Sequence, residues 1–336
     1  MDKVMPAEKR IWASVSICKI ASVTLAFAAA FALGNGLHAQ EYPVKPIRII
    51  VPSPGGTVDV VARLFTGKLA EKFGQSVFIE NRAGAGGNIG AEAVFKAAPD
   101  GYTLLAAPPG PLVINKSLYP RLAYDPDLFA PVAILATAPQ VLVVHPRIKA
   151  ESLSQLIAHA KANPDRLNYG SAGAGSSLHL AAEMFKAMAG VKIVHVPYKG
   201  AGPALADLTG GQVDLMFMDL GAISPHVRAG KLRALGVASE KRNALLPDIP
   251  AVRESVPGFN SIFWAGLVGP QTLPAAIVNR LNAAVAEIAK HPDLAKRLVE
   301  LSFEPNESTP AEIAVFMKQE RDRWGTVIRA IGVIAE

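Results

Sequence analysis

KPIRIIVPSPGGTVDVVARLFTGKLAEKFG (residues 45–74) decides how the rest of the chain is read. It opens on a short β-branched apolar run that ends at Pro52 and a glycine pair, the pattern of a buried strand. From Val58 the apolar residues recur at helical spacing, and Gly74 supplies a stop. Strand, glycine turn and helix thus follow one another directly.

The same alternation extends outward. SVFIEN (76–81) and YTLLAA (102–107) read as strands, separated by the turn AGAGGNIG (83–90) and a helix, AEAVFKAA. The pattern then restarts with strand VLVVHP (141–146), helix SLSQLIAHAKA (152–162), strand LNYGS (167–171) and helix LHLAAEMFKAMAG (178–190). VKIVHVPY (191–198) is a strand, GPALADLTGG (202–211) a short helix, VDLMFMDL (213–220) a strand, ISPHVRAG a helix turn and LRALGVAS (232–239) a strand. FWAGLVGP (263–270) reads as a strand returning to the first half, and two C-terminal helices follow over 275–291 and 311–330. Such alternation specifies the α/β class, with mostly parallel sheets flanked by helices. Two domains are expected, 40–140 plus 260–336 and 141–259, with crossings near 138–145 and 257–264 that would act as a hinge.

Residues 1–39 stand apart. MDKVMPAEKR is basic, IASVTLAFAAAFALG (20–34) is apolar, and Ala39 precedes a cut that would leave Gln40 as the mature start. That order is a secretory signal peptide, and its apolar run falls short of the roughly 20 residues of a membrane span. Cys18, the single cysteine, lies within it, so the mature chain can form no disulfide. Bulky Ile17 before Cys18, and an apolar run after it, argue against a lipid anchor. Removing four basic and two acidic residues from totals of 34 and 28 leaves a net charge of +4, with no basic block. Nucleic acid is therefore not an expected partner.

Three loops could carry chemistry. PSPGGTVD (52–59) joins a strand to a helix start; Gly55 and Gly56 allow close backbone approach, and Thr57 begins the helix. Unpaired N–H groups and the helix dipole make such an end favourable for an anion. Asp59 reads as a first-turn or capping carboxylate. AGAGGNIG misses the dinucleotide fingerprint, because the third glycine position holds Ile89. SAGAGSSLH (171–179) puts Ser176 and Ser177 at a helix start, where they can cap it or present hydroxyls and amides to an anion. Ser176 or Ser177 with His179 invites a hydrolase alternative, but no Gly-x-Ser-x-Gly occurs. The histidines form no metal-binding motif, so no metal or cofactor is expected. In an α/β protein the first and third loops would both open at carboxyl ends of strands, where ligands bind.

The chain resembles the tripartite tricarboxylate transporter substrate-receptor family, the Bug-type periplasmic binding proteins, from about Tyr42 onward. The resemblance is carried by YPVKPIRIIVPSPGGTVDVVAR, ENRAGAGGNIGAEAVFKAAPDGYTLL, NYGSAGAGSSLHLAAEMFK, VHVPYKGAGPALADLTGGQVDLMF, HVRAGKLRALGVASEKR and LPDIPAVRESVPGF, in that order. It implies a two-domain periplasmic-binding-protein fold of the flytrap type, closing on a ligand carboxylate held by amides, hydroxyls and waters. Matching positions are Gly55, Gly56, Thr57, Asp59 and Asn88 in the first domain. In the second they are Ser171, Gly175, Ser176, Ser177, His179, Tyr198, Lys199, Gly200 and Asp219. Asp219 is left with two roles, orienting the cleft or pairing with a ligand amine. AAPPGPLVIN (106–115) departs from the family, since Pro108, Pro109 and Gly110 bring no side-chain donors; the distal ligand group should be less polar. The implied protein is a monomeric periplasmic receptor that catalyses nothing, captures a small organic carboxylate and contacts an inner-membrane permease transiently. A sensor subunit is the alternative with the same cleft.

Overall fold

The computed structural model describes residues 42–243, 245–332 and 334. The signal segment and the start at Gln40 lie outside them.

Strand β1 (Ile47–Val51) buries Ile47, Ile49 and Val51 on one face and Ile50 on the other, where Arg48 stays half-buried beside Glu80; Ile50 and Val51 are fully buried. It is flanked in parallel by β2 (Val77–Asn81) and β3 (Thr103–Ala107). Helix α1 (Thr57–Phe73) ends where Gly74 adopts the left-handed conformation and returns its N–H to the Ala70 carbonyl. Helix α2 (Asn88–Phe95) follows the first glycine turn, and a wide helical turn (Gly110–Ile114) leads into α3 (Asn115–Leu118).

The central element is β4 (Ala130–Val144), a strand of 15 residues. Its first part, to Pro139, pairs antiparallel with β9 (Ile262–Gly269), and its last part pairs with β7 (Leu215–Asp219) and β8 (Arg233–Val237). The sequence reading recognised only the end of β4, from Val141. Pro131 and Pro139 interrupt the strand signal earlier, and register shifts near Pro131 and Ile134 accommodate the irregular stretch.

The second half holds α4 (Leu153–Ala162), β5 (Asn168–Ser171), α5 (Ser177–Ala189), β6 (Val194–Pro197), α6 (Ala201–Thr209) and α7 (Leu220–Arg228). Helix α7 is longer than the expected turn and contains Pro225. The chain closes with α8 (Ala275–Ala289), α9 (Pro292–Glu300), the short β10 (Glu304–Pro305) and α10 (Pro310–Ile331). Helix α9 and β10 were not read from the sequence.

Among the described residues the strands form one sheet in the order β2-β1-β3-β9-β4-β7-β5-β6, with β8 and β10 also on β4. Sequential strands are parallel within each half; the antiparallel pairs come from β9, β4, β8 and β10. In the second half both faces are covered. Leu142, Val144, Leu215 and Phe217 point into one apolar cluster, and Val141, Val143, Met216 and Met218 into another, as a period of two requires.

Helix α10 is fastened to β9 by a buried polar knot. Glu320 Oε2 accepts from the indole N–H groups of Trp264 and Trp324, both at 3.3 Å, and from Arg323 at 3.0 Å. Arg323 also donates to the Asn260 carbonyl at 2.6 Å, just before β9.

Candidate ligand site

The loop after β1 is braced from inside. Gly55 sits at φ +68°, and its N–H donates to Asp59 Oδ2 at 3.1 Å. Asn81 donates to the other Asp59 oxygen at 3.1 Å, and Arg63 adds a bond at 3.2 Å. Burial opposes charge on Asp59, but these donors outweigh it and hold its carboxyl below the usual range. Asp59 thus spends both carboxylate oxygens on bracing its own loop and helix start. Gly56 caps α1 without a side-chain bond, and the amides of Thr57, Val58 and Asp59 have no hydrogen-bond partner among the described residues. An α-helix of 17 residues thus presents a bare N-terminus.

Thr57 reaches the second half directly. Its hydroxyl donates to Asp219 Oδ2 at 2.9 Å. Asp219 stands at the N-cap position of α7 but makes no capping bond, and its Oδ1 is buried with no hydrogen-bond partner among the described residues. Its cross-strand partner Gln140 likewise leaves its side-chain Nε2 unsatisfied. Burial raises the Asp219 carboxyl to about 6, against the lowering effect of Thr57 and Gln140. Gln140 was not among the residues singled out by sequence.

The loop after β5 lies beside Asp219, because β5 runs parallel to β7. Ser176 is the N-cap of α5: its Oγ accepts from His179 N at 3.3 Å and donates to the Gly173 carbonyl at 2.8 Å. Ser177 begins the helix, half-buried, and its hydroxyl makes no hydrogen bond among the described residues. The amides of Ser177 and Leu178 have no partner either. Gly175 has φ +77°, and a Cβ there would lie 2.3 Å from Leu118 Cδ2, so α3 of the first half presses on this turn.

His179 and Ser171 are deeper than the sequence suggested. His179 is buried and accepts the Gly175 N–H at Nδ1, 3.0 Å away. Ser171 is fully buried, with its Oγ 2.7 Å from His195 Nε2. Burial holds both imidazoles below their ordinary value, His195 at about 4. The serine–histidine pairs of the hydrolase alternative do not form, since Ser176 Oγ and His179 Nδ1 are both engaged by backbone. The pair that does form, Ser171 with His195, is sealed from solvent at Ser171.

The remaining positions are more peripheral. Asn88 Oδ1 accepts from Asn115 at 2.6 Å and from the Tyr124 hydroxyl at 2.9 Å, which ties it into the first half. The Tyr198 hydroxyl donates to Asp207 at 2.7 Å, Lys199 is exposed, and Gly200 caps α6 at φ +124°. The Pro108–Gly110 segment leads into Leu112, Val113 and Ile114, which are fully buried in the core. A cavity of about 770 Å³ lies between α7, α9 and Leu245–Leu246, and its lining includes none of these loop residues.

Two α/β halves joined through β4 and β9, with bare helix starts beside the junction, have the architecture of two-domain periplasmic solute-binding proteins. BugD, a periplasmic binding protein, is similar over 88% of this chain and 100% of its own, at 32% identity and a TM-score of 0.79. Rpa4515 of R. palustris, solved with adipate, matches at 37% identity and a TM-score of 0.81, covering 88% of this chain and 99% of that one. MatC of Rhodopseudomonas palustris, solved with bound malate, matches at 36% identity and 0.78, covering 85% and 100%. The family model of the tripartite tricarboxylate transporter family receptor matches residues 61–333. The chain belongs to that family.

Proposed function

We propose that this protein is an extracytoplasmic receptor that captures a small dicarboxylate between the 52–59 and 171–177 loops and delivers it to a tripartite tricarboxylate-type permease. The observation that carries the reading is the bare N-terminus of α1, set by the Thr57–Asp219 bond against the strand ends of the second half. Partial positive charge at a helix start and unpaired amides suit a carboxylate without requiring a basic side chain. The adipate and malate bound by two relatives support a ligand with two carboxylates. Cleavage after Ala39 would place the receptor in the periplasm. The two halves, 40–140 with 260–336 and 141–259, would close on the ligand as domains, since a solute touching both binds the closed state more tightly.

Protein recovered from the periplasm, with an intact mass starting at Gln40, should bind adipate or malate in calorimetry. Converting one ligand carboxylate to its amide should cost at least about tenfold, since each bond to an ionised group is worth roughly 1.5–3 kcal/mol. An amide that binds equally well would overturn the carboxylate reading.

The two serines should separate. Ser176→Ala removes a helix cap and should cost about 1 kcal/mol of stability. Ser177→Ala should leave stability within about 0.5 kcal/mol yet weaken dicarboxylate binding about tenfold. Paired denaturant melts and titrations decide; a Ser177→Ala protein with parental affinity removes Ser177 from the site.

A further inference from the structure

Gly173 and Gly175 give the second loop its bend at φ +117° and +77°, a conformation that needs holding from outside. Each of their N–H groups is held by a side chain beneath the loop. Gly175 N donates to His179 Nδ1 at 3.0 Å, and Gly173 N to Ser171 Oγ at 3.1 Å. Ser171 Oγ is in turn 2.7 Å from His195 Nε2. The two imidazoles stack with centroids 4.1 Å apart, and His195 stacks on Tyr169 at 4.8 Å. The Tyr169 hydroxyl bonds away from the loop: it donates to Glu183 at 2.5 Å, where Lys186 also donates at 2.6 Å. The ring stack fixes the planes of both imidazoles, and so the direction in which each nitrogen meets the loop.

We propose that His179 and His195 are positioning residues for the ligand loop: His179 by accepting the Gly175 N–H, His195 by fixing the Ser171 hydroxyl that accepts from Gly173. With those two amides turned inward, the free amides of Ser177 and Leu178 remain for the solute. The inference rests on the 171–177 loop being a ligand loop, as proposed above. It moves His179 from ligand contact to support and adds a residue, His195, that the sequence did not single out.

Amide exchange of the ligand-free protein tests it without any ligand. His179→Ala should speed exchange of the Gly175 amide about tenfold, the loss expected for its one hydrogen bond. His179→Asn, whose carbonyl oxygen can take the same N–H, should stay within about threefold of the parent. Tyr169→Phe should lower the melting temperature and leave loop exchange as it was. Adipate titrations in parallel should follow the same order, with His179→Ala about tenfold weaker. Should His179→Ala not fold, Ser171→Ala gives the same readout at Gly173. Unchanged exchange in the alanine variant, or an asparagine variant as fast as alanine, overturns the assignment. A parent that binds no dicarboxylate would count against the receptor reading alone, because exchange judges the positioning separately.

Discussion

Asp219→Asn protein is expected to be more stable than the parent at pH 8, by about 2–3 kcal/mol for a carboxyl raised by roughly two pH units. The folded protein holds Asp219 at about 6, above the 3.8 of an unperturbed aspartate, because burial penalises its charge. A carboxyl raised in this way contributes its stability in full below pH 3.8, and that contribution is lost as pH rises through 6. At pH 8 the buried carboxylate carries the whole penalty, with one oxygen unsatisfied. Asparagine keeps an acceptor for the Thr57 hydroxyl and has no charge to bury. Denaturant melts of both proteins should therefore show a gap that opens above pH 3.8, is already partly present at pH 5 and reaches its full size by pH 8. A variant no more stable than the parent at pH 8 would mean that Asp219 is not a strained group.

The other large effect lies at Glu320. Replacing it with alanine would leave two indole N–H groups and the Arg323 guanidinium without their shared acceptor. Breaking a buried, hydrogen-bonded charge from one side costs about 3–5 kcal/mol. Glu320→Gln retains an amide oxygen for the indoles and should lose about half as much, since the bonds to a charged group become neutral ones. Urea unfolding followed by tryptophan fluorescence would report both, as Trp264 and Trp324 are the partners. A cost under about 1 kcal/mol for the alanine variant would show that water replaces the carboxylate.

What was legible in the sequence was local. The run IRIIV followed by two glycines and a helical pattern placed β1, its turn and α1 almost to the residue. The start of β4 was hidden because Pro131 and Pro139 lie in a strand that is tolerated only through register shifts. The site followed the same division. Thr57 and Ser176 announced themselves as helix starts, and the family resemblance marked Asp219. Their actual partners could not be read, because sheet register sets them. Ser171 meets His195 only because β5 and β6 pair Tyr169 with His195 and Ser171 with Pro197. Asp59 turns inward only because β2 delivers Asn81 beside it. Alternation in VKIVHVPY put His195 on a face, but no spacing rule says which strand that face adjoins.

The sharing of β4 has a consequence for how such a protein can be divided. Its residues up to Pro139 are hydrogen-bonded to β9 of one half, and Gln140–Val144 are bonded to β7 and β8 of the other. Cutting the chain between the halves would strip the neighbours from Val141, Leu142, Val143 and Val144, all fully buried in the intact protein. The severed piece would end in a bare apolar edge, the kind of strand that recruits other chains into aggregates. Neither half is thus a module that could be lifted out without re-covering that edge, because the single strand is both seam and spine.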